Sequence, residues 1–349
     1  MMTLAAWLHN LDPFILRISG DFGIRWYGAA YLAGFAIAYV VLRALAKRGL
    51  VQIPAERVGD AMLWLVGGTL VGGRLGYAFV YDPALFARFS GTPPWWALLA
   101  INQGGMASHG AMVGLVLACW RISRGWKDAD GRVVGKTSPL HVMDAVVLVA
   151  PFGVFLGRVA NFVNGELLGK IVAPPGTPGP WWSVQYPQEL ELPIMKVAQT
   201  PAQWAQVQAL AQQAAPGAPL EVGIGRLVSQ PEKYGPLLRP LLSSRHPSQL
   251  YQAAAEGIVI GVVLWLVWMR PRKPGVVLSV FLIGYGVLRI LTELIRLPDA
   301  QLVHERILGL SRGQWLSVAM VVIGTALLGY VARQPWAKIG GWLGRGRAA

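Results

Sequence analysis

The chain has 349 residues, 54% of them hydrophobic and only 14% charged, with a formal net charge of +14. Apolar stretches of about 20 residues recur, each long enough to cross a hydrocarbon layer of roughly 30 Å, which excludes a pair of soluble domains. Short alternating segments of the kind that build a closed barrel are missing from the sequence, and the basic residues are accounted for by their placement in loops rather than by nucleic acid.

Taken in chain order, the N-terminus does not read as a cleaved signal, because Asp12, Pro13 and Arg17 interrupt any apolar core and no basic segment precedes it. Seven spans follow, over about 27–46, 58–82, 104–121, 140–163, 249–270, 275–296 and 313–333. The second is rich in glycine (Gly67, Gly68, Gly72, Gly73, Gly76), which lets helix backbones approach closely in lipid. The only cysteine, Cys119, lies inside the third span and reads as an inert buried thiol, with no disulfide partner and no metal spacing. Residues 165–248 form the one large segment outside the spans. It opens with a Pro/Gly-rich run and carries an Ala/Gln-rich stretch, 198–214, with the makings of a surface helix. No internal repeat is visible.

Orientation follows from Lys and Arg. With the N-terminus outside, 16 basic residues fall in short inner segments and 12 in outer ones, six of the latter spread over the long 164–248 stretch that the rule discounts. The expected architecture is therefore an all-α polytopic membrane protein with about seven transmembrane helices, N-terminus out and C-terminus in. It forms a single integral domain over 1–349, and residues 165–248 make an external head or arm between spans 4 and 5.

A charge inside a span costs about 2.5–3.5 kcal/mol on insertion scales, so each needs a reason. The charged and titratable candidates are Arg74, His109, Asp144, Arg158, Glu256, Arg289 and Glu293, with Asn161 and Tyr285 as polar neighbours. At 1.5 Å per residue, Arg74, Arg158, Arg289 and Glu293 fall roughly 21–27 Å from the inner edge, and His109 and Glu256 roughly 7–11 Å below the outer edge. All but Asp144 occupy the outer half. That shared depth implies a polar cavity open toward the outer leaflet.

The motifs differ in sharpness. "GRLGYAFVYDP" places Arg74, Tyr77 and Tyr81 on one helix face, which suits either a functional arginine or one snorkelling past aromatic residues. "GGMASHGAMVG" surrounds His109 with small residues, giving either an accessible proton acceptor or a packing histidine. "GRVANFVNGELLG" is sharper. Arg158 and Asn161 share a face, Asn164-Gly165 breaks the helix and Glu166 follows; a guanidinium fork with amide donors suits a phosphate, against the plainer reading of a capped helix end. "GYGVLRILTELIR" aligns Tyr285, Arg289 and Glu293, with Arg296 close by, as a site or as a neutralising pair. In "RHPSQLYQAAAEG", Pro247 suits a first helical turn and His246 reads as structural.

"GRVANFVNGELLG" resembles the signature of the bacterial prolipoprotein diacylglyceryl transferases. "RWYG", "GGRLGYAFVYDP", "GGM" with "SHGAMVG", "HPSQLY", "FLIGYGVLRILTELIRLPDAQ" and "SRGQWLS" accompany it in the family's order, over nearly the whole chain except 170–244. The resemblance implies transfer of the diacylglyceryl group of phosphatidylglycerol to the lipobox cysteine of a prolipoprotein signal peptide, forming a thioether and releasing glycerol phosphate. It implies a multi-pass protein of the bacterial inner membrane, with its site facing the periplasm. It also implies roles for Tyr27, His109, Arg158, Asn161, Glu166, Gly169, Tyr285, Arg289 and Glu293. Of these, His109, Arg289, Glu293, Tyr27, Asn161 and Glu166 are expected in catalysis. Arg158, Asn161, Gly169, Tyr285 and also Arg74 are expected in substrate binding. His109 is the candidate general base, and Glu166 and Glu293 either orient arginines or accept the thiol proton. No cofactor, metal or nucleotide is expected, since no Asp-rich or P-loop motif occurs. The chain departs from the family's usual pattern at Ala107-Ser108 and at Gln252, and no site is carried into 170–244. A transporter for an anionic solute would need polar residues through the inner half, where only Asp144 lies; a scaffold would not need His109 and two arginines at one depth.

Overall fold

A computed structural model describes residues 6–19, 22–101, 104–192, 198–297 and 309–343. Its long helices are α1 (Trp26–Lys47), α2 (Val58–Val80), α3 (Ser108–Ser123) and α4 (Pro139–Val163). Three short helices follow, α5 (Pro201–Ala214), α6 (Leu220–Ser229) and α7 (Pro231–Leu238). The chain then returns to long helices, α8 (Ser248–Trp268), α9 (Val276–Glu293) and α10 (Arg312–Arg333). Among the described residues six of these are long and apolar enough to cross a membrane: α1, α2 with its preceding turn, α4, α8, α9 and α10. The third expected span is shorter than the sequence suggests. Gly104 and Gly105 adopt left-handed backbone (φ +83° and +73°), so the helix starts only at Ser108. Its 16 residues reach roughly 24 Å, short of a typical hydrocarbon thickness.

The chain divides into two compact units. The first comprises Met1–Gly34, Pro151–Val262 and Leu282–Ile323. It holds a four-stranded sheet of very short strands, β1 (Trp7–Leu8), β6 (Ile171–Ala173), β7 (Val184–Gln185) and β8 (Ser244–Arg245), in the order β1-β7-β8-β6. A separate hairpin, β2 (Phe14–Ser19) and β3 (Phe22–Arg25), leads into α1. The Ala/Gln-rich stretch does form a helix, α5, started by a reciprocal Thr200–Gln203 capping box with Pro201 in the first turn. It lies at the surface with one face turned inward: Val207, Ala211 and Ala214 pack with Ile224, Leu227, Leu238, Leu241 and Leu242 in a local core. Arg245, on β8, and Glu189 form a fully buried ion pair at 2.6 Å. Glu189 also accepts from Ser243 N at 2.7 Å and Gln199 Nε2 at 2.8 Å, which offsets the cost of burying it.

His9 ties β1 to the end of α4. Its Nε2 lies 2.7 Å from the Phe162 carbonyl and its Nδ1 3.4 Å from Gln188 Nε2, so the neutral tautomer donates to one and accepts from the other. Burial holds its pKa below the usual histidine value, against the opposing pull of the Phe162 bond.

The second unit comprises Phe35–Ala150, Val263–Phe281 and Gly324–Ala349. Its tightest contact is between α2 and α3, where a Cβ added at Gly72 would strike the Gly110 carbonyl and one added at Gly114 would strike that of Gly68. Backbones touch because glycine faces glycine. A small hairpin, β4 (Trp126–Lys127) with β5 (Val133–Val134), follows α3. Asp144, the one charged residue placed in the inner half, has a structural explanation. Its carboxylate accepts from the backbone N–H of Gly275 and of Leu278, both at 2.7 Å, and so satisfies donors at the start of α9.

Candidate active site

In the first unit two polar clusters gather around the end of α4. Arg158 and Asn161 lie one turn apart on that helix, which stops at Val163. Gly165 then takes a left-handed conformation (φ +67°), and the Glu166 N–H bonds back to the Asn161 carbonyl at 3.0 Å. This turn brings the Glu166 carboxylate under two amides: Asn161 Nδ2 donates at 3.0 Å and Asn164 Nδ2 at 3.1 Å. Asn161 Nδ2 also lies 3.5 Å from the hydroxyl of Tyr27, on the first turn of α1. The carboxylate itself is exposed.

The loop is fixed from below. Ser248 Oγ donates to the Leu167 carbonyl at 2.8 Å, and Gln249 Nε2 donates to the Glu166 carbonyl. Leu167 is held at φ +56°, a strained conformation for a leucine. Gly169 is packed where a side chain could not fit, since a Cβ there would meet the His246 carbonyl. Its own carbonyl accepts from Arg245 Nη1 at 3.1 Å, and it bridges Arg296 across the loop.

The second cluster centres on Glu256, in a π-helical turn (Ala253–Val259) of α8. Its side chain is 0% exposed. Arg158 donates to Oε2 from Nε at 3.2 Å and Nη2 at 2.9 Å, and the Tyr285 hydroxyl donates to the same oxygen at 3.3 Å. Thr292 Oγ1 donates to Oε1 at 3.0 Å, and Arg289 Nη1 comes within 3.9 Å of it. Arg289 Nη1 also lies 2.7 Å from Glu293 Oε2, a close ion pair without hydrogen-bond alignment. Arg296 Nη1 stands 3.8 Å from that carboxylate. Arg158, Arg289 and Glu293 retain side-chain exposures of 17%, 15% and 14%, so the network is nearly closed but its guanidinium edges remain reachable.

The structure thus brings Arg158, Tyr285 and Arg289 together on the Glu256 carboxylate, with Glu293 paired to Arg289, and sets Asn161, Glu166 and Tyr27 beside one another. His109 and Arg74 belong to the second unit. His109 is exposed on the first turn of α3. Arg74 is buried at 6%, and all its N–H groups point at backbone carbonyls: Nε to Leu98 (2.8 Å), Nη1 to Gly104 (2.6 Å) and Gly105 (2.9 Å), Nη2 to Ala97 (2.6 Å) and Ala100 (3.4 Å). Among the described residues no group of three or more His, Cys, Asp or Glu is placed to hold a metal ion.

The sequence places Glu256 in the shared polar layer without an individual role, and it does not single out Ser248, Gln249 or Thr292. The available signal was a carboxylate in an Ala/Gly-rich stretch, at the depth inferred for two arginines.

Several apolar helices with a buried arginine–carboxylate network define a multi-pass membrane protein with the chemistry of an anion site. A profile of the prolipoprotein diacylglyceryl transferase family matches residues 13–330, and the chain belongs to that family. It is 39% identical to a phosphatidylglycerol–prolipoprotein diacylglyceryl transferase of Bdellovibrio bacteriovorus, over 96% of this chain and 97% of that protein. It is 34% identical to proteins of the same name from Neisseria gonorrhoeae (93% and 96% covered) and Photorhabdus laumondii (91% and 92%).

Proposed function

We propose that this protein moves the diacylglyceryl group of phosphatidylglycerol onto the lipobox cysteine of a prolipoprotein, making a thioether and releasing glycerol phosphate. The observation that carries the reading is the meeting of Arg158 and Arg289, from different helices, on the buried Glu256 carboxylate. It supports the reading together with near full-length similarity to relatives named for this reaction.

The chemistry makes defined demands. A cysteine thiol, with pKa of about 8.5, first loses its proton. The thiolate sulfur attacks the glyceryl carbon that bears the phosphate. A C–S bond forms as the C–O bond breaks, and the electron pair leaves on the phosphate oxygen. A monoanionic diester thereby becomes a dianionic monoester. Donors aimed at that oxygen lower the barrier most, because charge grows there in the transition state. Arg158 and Arg289 fill this role, with Tyr285 fixing the carboxylate that holds them. Glu293, engaged with Arg289 and Arg296, orients guanidinium groups. Glu166 has only amide partners among those described and an exposed carboxylate, so it and His109 are the two candidates for taking the thiol proton. Asn161 and Tyr27 position Glu166, Gly169 allows the loop to pack, and Arg74 holds the carbonyls of Ala97, Leu98, Ala100, Gly104 and Gly105 rather than touching lipid.

In this reading the N-terminus and residues 165–248 face the periplasm, α3 completes seven crossings as a short span, and the C-terminus lies in the cytoplasm. The basic-residue bias supports it. The direct test is purified protein with phosphatidylglycerol and a lipobox peptide. One glycerol phosphate is expected per thioether formed. Absence of both products, or equal use of phosphatidylethanolamine, would contradict the proposal.

A further inference from the structure

Glu256 stands at the centre of the arginine network. It is the only carboxylate that contacts both Arg158 and Arg289 among the described ion pairs. It is fully buried, and four side chains from two other helices converge on it. Burying a carboxylate so deeply is offset only by pairing and hydrogen bonding, and a neutral amide of similar size would leave both arginines without this counter-charge. The counter-charge also has a use in binding.

Electrostatics supplies the use. Arg158 and Arg289 each bring a full positive charge to a nearly closed site; Glu293 offsets one through its ion pair with Arg289, and Glu256 offsets the other. The reaction turns a singly charged phosphodiester into a phosphomonoester that is mostly doubly charged at neutral pH, its second pKa lying near 6. An added positive charge strengthens binding of any anion, but acts twice as strongly on a dianion. Without Glu256 the site would therefore favour its own product. We propose that Glu256 is a positioning residue that holds Arg158 and Arg289 as one clamp and, by cancelling one positive charge, biases the site toward the phosphodiester substrate over the phosphomonoester product.

This rests on reading the arginine network as the headgroup site. The experiment uses the full-length protein in nanodiscs of zwitterionic lipid at pH 7.5. It measures Kd for two soluble probes, glycerophosphoglycerol (a diester) and glycerol phosphate (a monoester). The wild type should bind the diester more tightly. Glu256→Gln should shift the ratio of the two constants at least 10-fold toward the monoester, and glycerol phosphate should become a correspondingly stronger inhibitor of turnover. Glu256→Asp keeps the charge on a shorter arm. It should weaken both probes yet retain the wild-type order.

An unchanged ratio in Glu256→Gln, or equal weakening of both probes, would reduce Glu256 to packing and overturn the inference. Should Glu256→Gln not fold, the wild type and Glu256→Asp decide: preference of either for the monoester overturns it. If the wild type binds neither probe, the headgroup reading falls, and the role of Glu256 with it. Binding of both with the monoester preferred leaves the headgroup reading standing and defeats only the role of Glu256.

Discussion

Arg158 spends its Nε and Nη2 donors on one oxygen of Glu256, an arrangement that a lysine cannot copy. Arg158→Lys should therefore lower kcat/KM by about 10²-fold, within the range seen when one transition-state donor is lost, while the protein still inserts and purifies normally. Steady-state thioether formation checks this. Asp144 gives the contrasting case. Its two backbone partners start α9, so Asp144→Ala should cost about 1–2 kcal/mol, like the loss of other helix caps. The expected sign is a lower unfolding midpoint with kcat per folded molecule unchanged; a lost kcat at full stability would assign it a part in the chemistry. At this scale the arginines were legible because a charge in an apolar helix is conspicuous. Glu256 was equally visible as a charge, but not as a centre. Nothing in its own neighbourhood, "AAAEGIV", says that four side chains will close on it. That depends on how three helices meet, which one chain's periodicity does not encode.

Among the elements, α2 and α3 are held by glycine against glycine. Gly72→Val places methyl groups against the Gly110 carbonyl and should cost about 1–3 kcal/mol, as overpacking does. A drop in melting temperature measured in detergent checks it. The His9 anchor has a defined pH response. Burial depresses its folded pKa below the unfolded value of about 6.5, so the folded state binds fewer protons. The stability that His9 contributes is present above pH 6.5 and is lost as the pH falls through the depressed value. Melting temperature should decline more steeply below pH 6.5 in the wild type than in His9→Gln; parallel curves would remove His9 as the cause. The long helices were legible from hydropathy to within a few residues. The late start of α3 was not, since it turns on two glycines taking left-handed backbone. The sheet in the first unit was not either: strands of two or three residues carry no period of their own, and Trp7 pairs with Val184 far along the chain.

For the molecule as a whole, the topology we propose from the charge bias puts residues 165–248 on the outer side and the β4–β5 hairpin on the inner. Single cysteines at Ser229 and at Asp130, both exposed, should separate cleanly. An impermeant maleimide should label the first in intact spheroplasts and the second only after lysis; the native Cys119, buried, contributes little background. The reverse pattern would invert the topology and place the site at the wrong leaflet.

If Arg158 and Arg289 act as one clamp on a lipid phosphate, their losses are coupled. Thioether formation from phosphatidylglycerol should be measured for Arg158→Ala, Arg289→Ala and the double variant, each confirmed as inserted. Residues that act as a unit give strongly non-additive losses. Each single variant is expected to lose at least about 10²-fold, and the double variant to be no worse than the poorer single. Wild-type turnover in either single variant, or losses that multiply in the double, would mean that the two arginines do not act as one clamp.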